Sequence, residues 1–295
     1  MRRIASGLIV IMSVLLVSCN GKTGNTITVG SDKLDNTQSY FSESMHKAAR
    51  CDSGYYYLDK CGASADNLMF YDDKSEESIV LCNKPQCGHD GEECMAYISG
   101  SEFKSELYYY NSYIYMISSK GNLVQISADG TQRTDLGSIC VLSGQDSVSM
   151  CFNDGYAYVS QEITGDIEGN VTVRLYRFNL DTGSSDKIYE ETGYGIGINS
   201  LKTYGSDTFF LKTSVSKDDK GLYSLEGKGI FRITGENTEC LLDKNVYSYC
   251  IDADNNKLYY SGLGDGTIYE YDLGSGKSES IYKSCLLYTS PSPRD

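Results

Sequence analysis

An all-β fold of β-propeller type is predicted by three features of this 295-residue chain. The first is a loose repeat, with a period of about fifty residues, that begins near Cys51. The second is composition: 26 Tyr and 30 Gly with only 3 Pro favour many short strands joined by tight turns. The third is alternation of apolar and polar residues, which gives several of those strands a more buried and a more exposed face. Small sheets of this kind must pack their faces on one another, so no blade is stable alone. The expected architecture is a set of four-stranded blades, about five of them visible. A solenoid of hairpins or a β-sandwich is the competing arrangement.

The segments follow in chain order. Residues 1–18 begin with Arg2 and Arg3 and continue through an apolar run from Leu8 to Val17. That run is too short to span a bilayer as a helix but suits a signal peptide. Residues 19–49 are polar and weakly patterned, and are read as a tether with a short helical turn near Ser42 to Ala49. An edge strand through Thr26-Ile27-Thr28-Val29 is the alternative there.

The repeating domain takes residues 50–284. Its units open on Tyr55-Tyr56-Tyr57, Tyr113-Ile114-Tyr115, Tyr156-Ala157-Tyr158, Thr208-Phe209-Phe210 and Leu258-Tyr259-Tyr260. A second strand, a turn such as Asp181-Thr182-Gly183, and a short third strand complete each unit. Residues 285–295, Cys-Leu-Leu-Tyr-Thr-Ser-Pro-Ser-Pro-Arg-Asp, look like one reading frame of a transposon-type sequencing adapter. Such a scar is excluded from fold reasoning, and it implies that the natural protein continues past Ser284.

The formal charge of −14 becomes −16 without Arg2 and Arg3, while Arg294 and Asp295 cancel. So acidic a surface argues against nucleic acid, whose phosphates need clustered Lys and Arg. Anionic headgroups would repel it too, so membrane attachment should rest on a lipid.

Eleven cysteines less Cys19 and Cys285 leave nine. Six form close pairs in sequence: Cys51 with Cys61, Cys140 with Cys151, and Cys240 with Cys250. They are candidate disulfides stapling adjacent blades, or small buried residues that simply pack well. The other three belong to Cys82-Asn-Lys-Pro-Gln-Cys87-Gly-His89-Asp-Gly-Glu-Glu-Cys94, which interrupts the first unit. Three thiolates and an imidazole so close together could complete a tetrahedral, structural zinc site. One disulfide plus a free thiol, with His89 exposed, is the competing reading. Asp252-Ala-Asp254-Asn-Asn256 offers alternating oxygens for calcium, but lacks the Gly and terminal Glu of an EF-hand loop and reads better as a β-turn.

No nucleophile elbow, HExxH motif, Walker loop or dinucleotide fingerprint is present in the sequence. The two histidines are His89 and, in the tether, His46. A His-based acid–base site therefore has no candidate within the repeats.

Three resemblances add to this reading. Leu16-Val17-Ser18-Cys19 resembles the bacterial lipobox, which implies that Cys19 is acylated and anchors the protein on the outer face of the cell membrane. The last unit, Leu258 to Leu273, resembles the lipoprotein-receptor-type β-propeller repeat, whose bacterial relatives include lipoproteins of unknown function. Its Tyr-Trp-Thr-Asp string is degraded: Tyr259 fits, and Tyr260, Ser261 and Gly262 replace the rest. The Cys82–Cys94 string is similar to a cysteine-and-histidine insert of propeller-like lipoproteins from anaerobic Gram-positive bacteria. The expectation is a lipid-anchored binding or scaffold module of the envelope, with an extracellular glycan or protein as ligand. An extracellular glycan-active enzyme with paired carboxylates, and a metal-binding lipoprotein, are the rivals.

Overall fold

Tight two-residue turns set the register of this chain. Asp154 and Gly155, at φ 47° and 77°, join two strands as a hairpin whose backbone twist matches theirs; Asn111 and Ser112, at 47° and 65°, do the same without glycine. The computed structural model describes residues 41–284, except 44–45, 101, 104–105, 166–168, 205–206, 236, 253, 263 and 265, with side chains from residue 48 onward. The signal segment, Cys19, the Thr26–Val29 alternative and the 285–295 tail lie outside the described residues.

The described residues contain twenty-two strands and no helix, arranged in five antiparallel sheets. Sheet one holds β1 (Phe41–Glu43), β2 (His46–Cys51), β3 (Gly54–Lys60), β4 (Ala65–Asp72), β5 (Glu77–Val80) and β6 (Tyr97–Ser99). Sheet two is a meander of β7 (Tyr108–Tyr110), β8 (Tyr113–Ile117), β9 (Asn122–Ser127) and β10 (Arg133–Ser138). Sheet three runs β11 (Ser147–Asn153), β12 (Tyr156–Thr164), β13 (Asn170–Asn179), β14 (Ser185–Tyr194). Sheet four runs β15 (Gly197–Tyr204), β16 (Asp207–Lys217), β17 (Tyr223–Thr234), β18 (Asn237–Leu242). Sheet five runs β19 (Val246–Asp252), β20 (Lys257–Gly262), β21 (Thr267–Asp272), β22 (Ser278–Lys283).

Sheets two to five each begin one strand earlier than the repeat suggests, and sheet one begins two strands earlier. The Tyr- and Phe-rich strands β3, β8, β12, β16 and β20 each follow a strand of the same sheet that the repeat does not mark, more mixed in sequence except for β7, which is Tyr108-Tyr109-Tyr110. Two expectations about the tether are corrected by the same fact. Residues 41–43 and 46–49 are strand, not helical turn, and the folded part starts before residue 50. The cause is packing: β2 pairs with β3, and Ala49 and Cys51 are buried against Tyr56 and Leu68, which repays ordering an otherwise polar segment.

Four apolar clusters fill the four junctions between consecutive sheets. Leu68 and Tyr56 meet Ile114 and Met116 between sheets one and two. Tyr115 and Ile117 meet Phe152 and Val159 in the next. Val173 and Leu175 meet Phe210 and Ile233, and Phe209 and Ile230 meet Leu258 and Tyr260. The Tyr-rich composition has its reason here. Tyr56 Oη donates to the Ala128 carbonyl (3.1 Å), the Met150 amide donates to Tyr108 Oη (3.0 Å), and Tyr249 Oη donates to the Ser200 carbonyl (2.7 Å). Each ring fills a junction while its hydroxyl reaches backbone of the neighbouring sheet, a pairing that Phe or Leu could not supply.

The meander makes the two ends of every sheet unlike. First-to-second and third-to-fourth strand turns gather at one end. Second-to-third hairpins and the crossovers between sheets gather at the other, because each fourth strand must finish where the next first strand begins. Variation is concentrated at that crossover end.

Candidate metal centre

The cysteine–histidine string is an excursion in the outer strand of sheet one. β5 pairs with β4 from Met69 to Asp72, and β6 pairs with the remainder of β4 from Ala65 to Asn67. Between these halves lies Leu68. Its carbonyl accepts the Leu81 amide (2.9 Å) and its amide donates to the Ala96 carbonyl (2.8 Å). One residue of β4 thus ties together both ends of the loop. Cys82 follows one tie and Cys94 precedes the other by two residues, so ordinary strand pairing brings these two sulfurs to a common neck.

The remaining ligands fold back onto that neck. Gln86 and His89 take left-handed backbone conformations (φ 61° and 55°) on either side of Cys87 and Gly88. The Cys87 amide reaches the Lys84 carbonyl (3.4 Å), the Cys94 amide reaches that of Gly91 (2.9 Å), and Lys84 Nζ donates to the Glu93 carbonyl. The result places the ligand atoms of Cys82, Cys87, His89 and Cys94 within 4.8 Å of one another, and His89 Nδ1 lies 3.3 Å from Cys94 Sγ. With Zn–S near 2.3 Å and Zn–N near 2.0 Å, a tetrahedral site holds its ligand atoms about 3.6–3.8 Å apart. The four residues fit a metal ion, and all four contribute to the fit.

The electrostatics are those of a thiolate cradle. Burial opposes ionisation of Cys82, but the amides of Lys84 and Met95 and the thiols of Cys94 and Cys87 donate to its sulfur and hold its pKa below the ordinary value. Cys94 is only 3 % exposed, and burial pushes its thiol up to about 11, helped by Cys82 and Cys87 and opposed by the Ala96 amide. Amide donors of this kind serve as the outer shell that orients thiolate ligands. Soft thiolates select zinc-like ions over calcium, magnesium or manganese, and a closed four-ligand set leaves no open position for substrate.

The close cysteine pairs behave otherwise. All nine described cysteines are free thiols. Cys51 sits opposite Gly54, and Cys61 lies beyond Lys60 at the far end of β3. Seven residues of strand separate them by about 20 Å, against a Cα limit of about 7 Å for a disulfide. Cys140 packs between sheets two and three, while Cys151 packs between three and four, so sheet three stands between them. Cys240 is on the outer strand β18 and Cys250 on the inner strand β19, both exposed. Among the described residues of the calcium candidate, Asp252 accepts the Asn255 amide (3.1 Å) and side-chain amide (2.7 Å), which is turn capping.

Two features of the crossover end had no signal in the sequence. One is a cleft beside the metal centre, taken up below. The other is a hairpin tip: β16 and β17 are the longest strands, and they carry Leu222, Tyr223 and Leu225 out beside Tyr194, all exposed. Tyr194 and Tyr223 stack at 6.3 Å. Only strand length separates these from core residues, and length emerges from pairing.

No protein-family model and no curated protein matches the chain. Solved structures do. An oligogalacturonate lyase in complex with manganese aligns over 83 % of this chain and 66 % of its own, with a TM-score of 0.51 and 12 % identity. The fold is that of a β-propeller. A nidogen/laminin complex aligns over 78 % and 76 % (TM-score 0.40, 11 % identity), and Saccharomyces cerevisiae Sqt1 over 86 % and 64 % (0.42, 11 %). The chain spans about two thirds of the lyase's length. At such identities the likeness shows the fold alone; the five sheets are blades.

Proposed function

We propose that this chain is a lipid-anchored β-propeller that works as a binding module on the outer face of the bacterial cell membrane, with zinc as a structural staple in its first blade. The observation that carries this reading is the difference between the two ends of the blades. One end is closed by tight turns. The other carries the crossovers, a cleft and a projecting apolar hairpin, with the metal-bearing excursion of the first outer strand beside that cleft, which is the distribution expected where a rigid scaffold presents a recognition surface. The lipobox-like Leu16-Val17-Ser18-Cys19 supports attachment through an acyl chain on Cys19. The Cys3His donor set supports a thiophilic ion in a closed site, hence a structural role.

Metabolic labelling with an alkynyl palmitate tests the anchor. Label should appear on the intact chain and vanish in Cys19→Ala; label on both, or on neither, removes the anchor. Sedimentation of the detergent-solubilised chain with isolated bacterial cell walls tests the module, with co-sedimentation expected. Oligogalacturonate, which the structural neighbour's name suggests as a probe, should be returned intact. Its cleavage would replace the module with an enzyme.

A further inference from the structure

The cleft at the crossover end lies between the metal-bearing excursion and the outer face of the second blade. Two adjoining hollows, each of about 520 Å³, share Met95, Glu102 and Arg133 among their walls. That size suits a small organic ligand. One wall belongs to the excursion's return: Met95 follows the ligand Cys94 directly, and the Tyr97 amide donates a hydrogen bond to the Cys94 carbonyl (3.2 Å). The opposite wall is the edge of the second blade, with Asn122 on β9 and Asp135 on β10. Arg133 spans the two, donating to the Tyr97 carbonyl (3.0 Å) and pairing with Glu102.

The lining mixes polar and apolar groups and its charges nearly cancel. Arg133 pairs with Glu102, exposed Lys120 and Glu92 add one charge of each sign, and Asp135, which accepts from Asn122 Nδ2 (2.8 Å), leaves a single negative charge over. A ligand of large net charge gains little from such walls. Fixed donors beside fixed acceptors do match a neutral ligand carrying several hydroxyls, each able to give one hydrogen bond and accept another. Met95 and Tyr97 add apolar surface against which the C–H face of a sugar ring can lie. From this juxtaposition we propose that the cleft binds a neutral saccharide, and that metal at Cys82, Cys87, His89 and Cys94 holds the wall formed by Met95 and Tyr97 in place. This rests on the binding-module reading and names its ligand class and its site.

The test is titration calorimetry of the full chain, zinc-loaded and in detergent, with chitotriose, cellotriose and maltotriose. At least one should bind. Asp135→Asn and Asn122→Ala should each weaken it about tenfold with an unchanged melting temperature, since one bidentate contact to a hydroxyl pair contributes about that much. Lys74→Ala, exposed in the β4–β5 turn at the opposite end of the first blade, should leave it unchanged. Stripping the zinc with a chelator should weaken binding at least as much as either cleft variant. A trisaccharide that binds indifferently to both cleft variants overturns the cleft and leaves the module standing. Binding that survives zinc removal overturns the metal-held wall. No binding by any of the three at millimolar concentration overturns the saccharide assignment; if the chain still sediments with cell walls the module survives, and if it does not, both fall.

Discussion

The first blade and the third blade each bring cysteines close together in sequence, and they use them in opposite ways. In the first, Cys82 and Cys94 are twelve positions apart and share a neck, because both ends of their loop are bonded to Leu68. At the third, Cys140, on the crossover from the second blade, and Cys151, on β11, are eleven apart and lie on opposite faces of one sheet, each sealed in a separate apolar cluster. Spacing along the chain is nearly the same; what differs is whether a strand lies between. A loop that leaves and rejoins one strand collects its thiols. A chain that threads through a sheet separates them. The first arrangement makes a ligand set with amide donors aimed at sulfur, the second a pair of packing residues.

Changes that set the two regions apart follow, from the largest effect to the smallest. Cys94→Ser should lower zinc affinity by two orders of magnitude or more and depress the melting temperature, because binding free energy at a structural site is folding free energy. Metal analysis and calorimetry read both, and a variant that retains zinc would show that the fourth ligand is dispensable. Acid and alkali should act on different regions. Protons compete with metal for thiolates and imidazole, so zinc bound at the first blade should be released as pH falls, which metal analysis after dialysis at stepped pH reads.

The buried thiols of the third blade respond the other way. Burial pushes Cys140 up to about 11 and Cys151 to about 12, above the value near 9 of the unfolded chain. The folded state therefore holds these protons more tightly, and the stabilisation is complete below pH 9. It is lost as pH rises from 9 through the folded values, at about 1.4 kcal/mol per pH unit for each thiol. Chemical denaturation between pH 8 and 11 should show this decline, and Cys140→Ala with Cys151→Ala should flatten it; an unchanged slope would mean that other groups, such as the buried tyrosines, carry it.

Cys151→Ser should cost about 1–3 kcal/mol by placing a hydroxyl in an apolar cluster, with no change in zinc content. Cys240→Ser and Cys250→Ser, on exposed positions, should each stay within about 0.5 kcal/mol. A large loss in either would reveal a bond between them that the strand positions do not favour.

Much of the fold was legible. The Tyr- and Phe-rich second strands, with their alternation and their following turns, mark all five blades, since these strands lie in the middle of each sheet and bury a whole face. The first strands were not legible as members of their own blade. His46–Ala49 reads as polar linker because its place in the sheet rests on backbone pairing with β1 and β3, which sequence pattern does not register. The metal-site residues were legible as a set, because Cys82, Cys87, His89 and Cys94 are the chain's densest group of soft ligands. Their competition with a disulfide was not resolved by spacing, since spacing carries no direction.

The sequence by itself determined the class of the fold, through a repeating β pattern, together with an acidic composition and one Cys–His string, all set by composition and local period. Tertiary structure alone decided which cysteines meet. Leu68, with no chemistry of its own, fixes the neck of the metal centre through its amide and carbonyl, and sheet three separates two thiols that the sequence sets side by side. Hydrogen-bond partners across strands are chosen by register, and register is a property of the whole sheet.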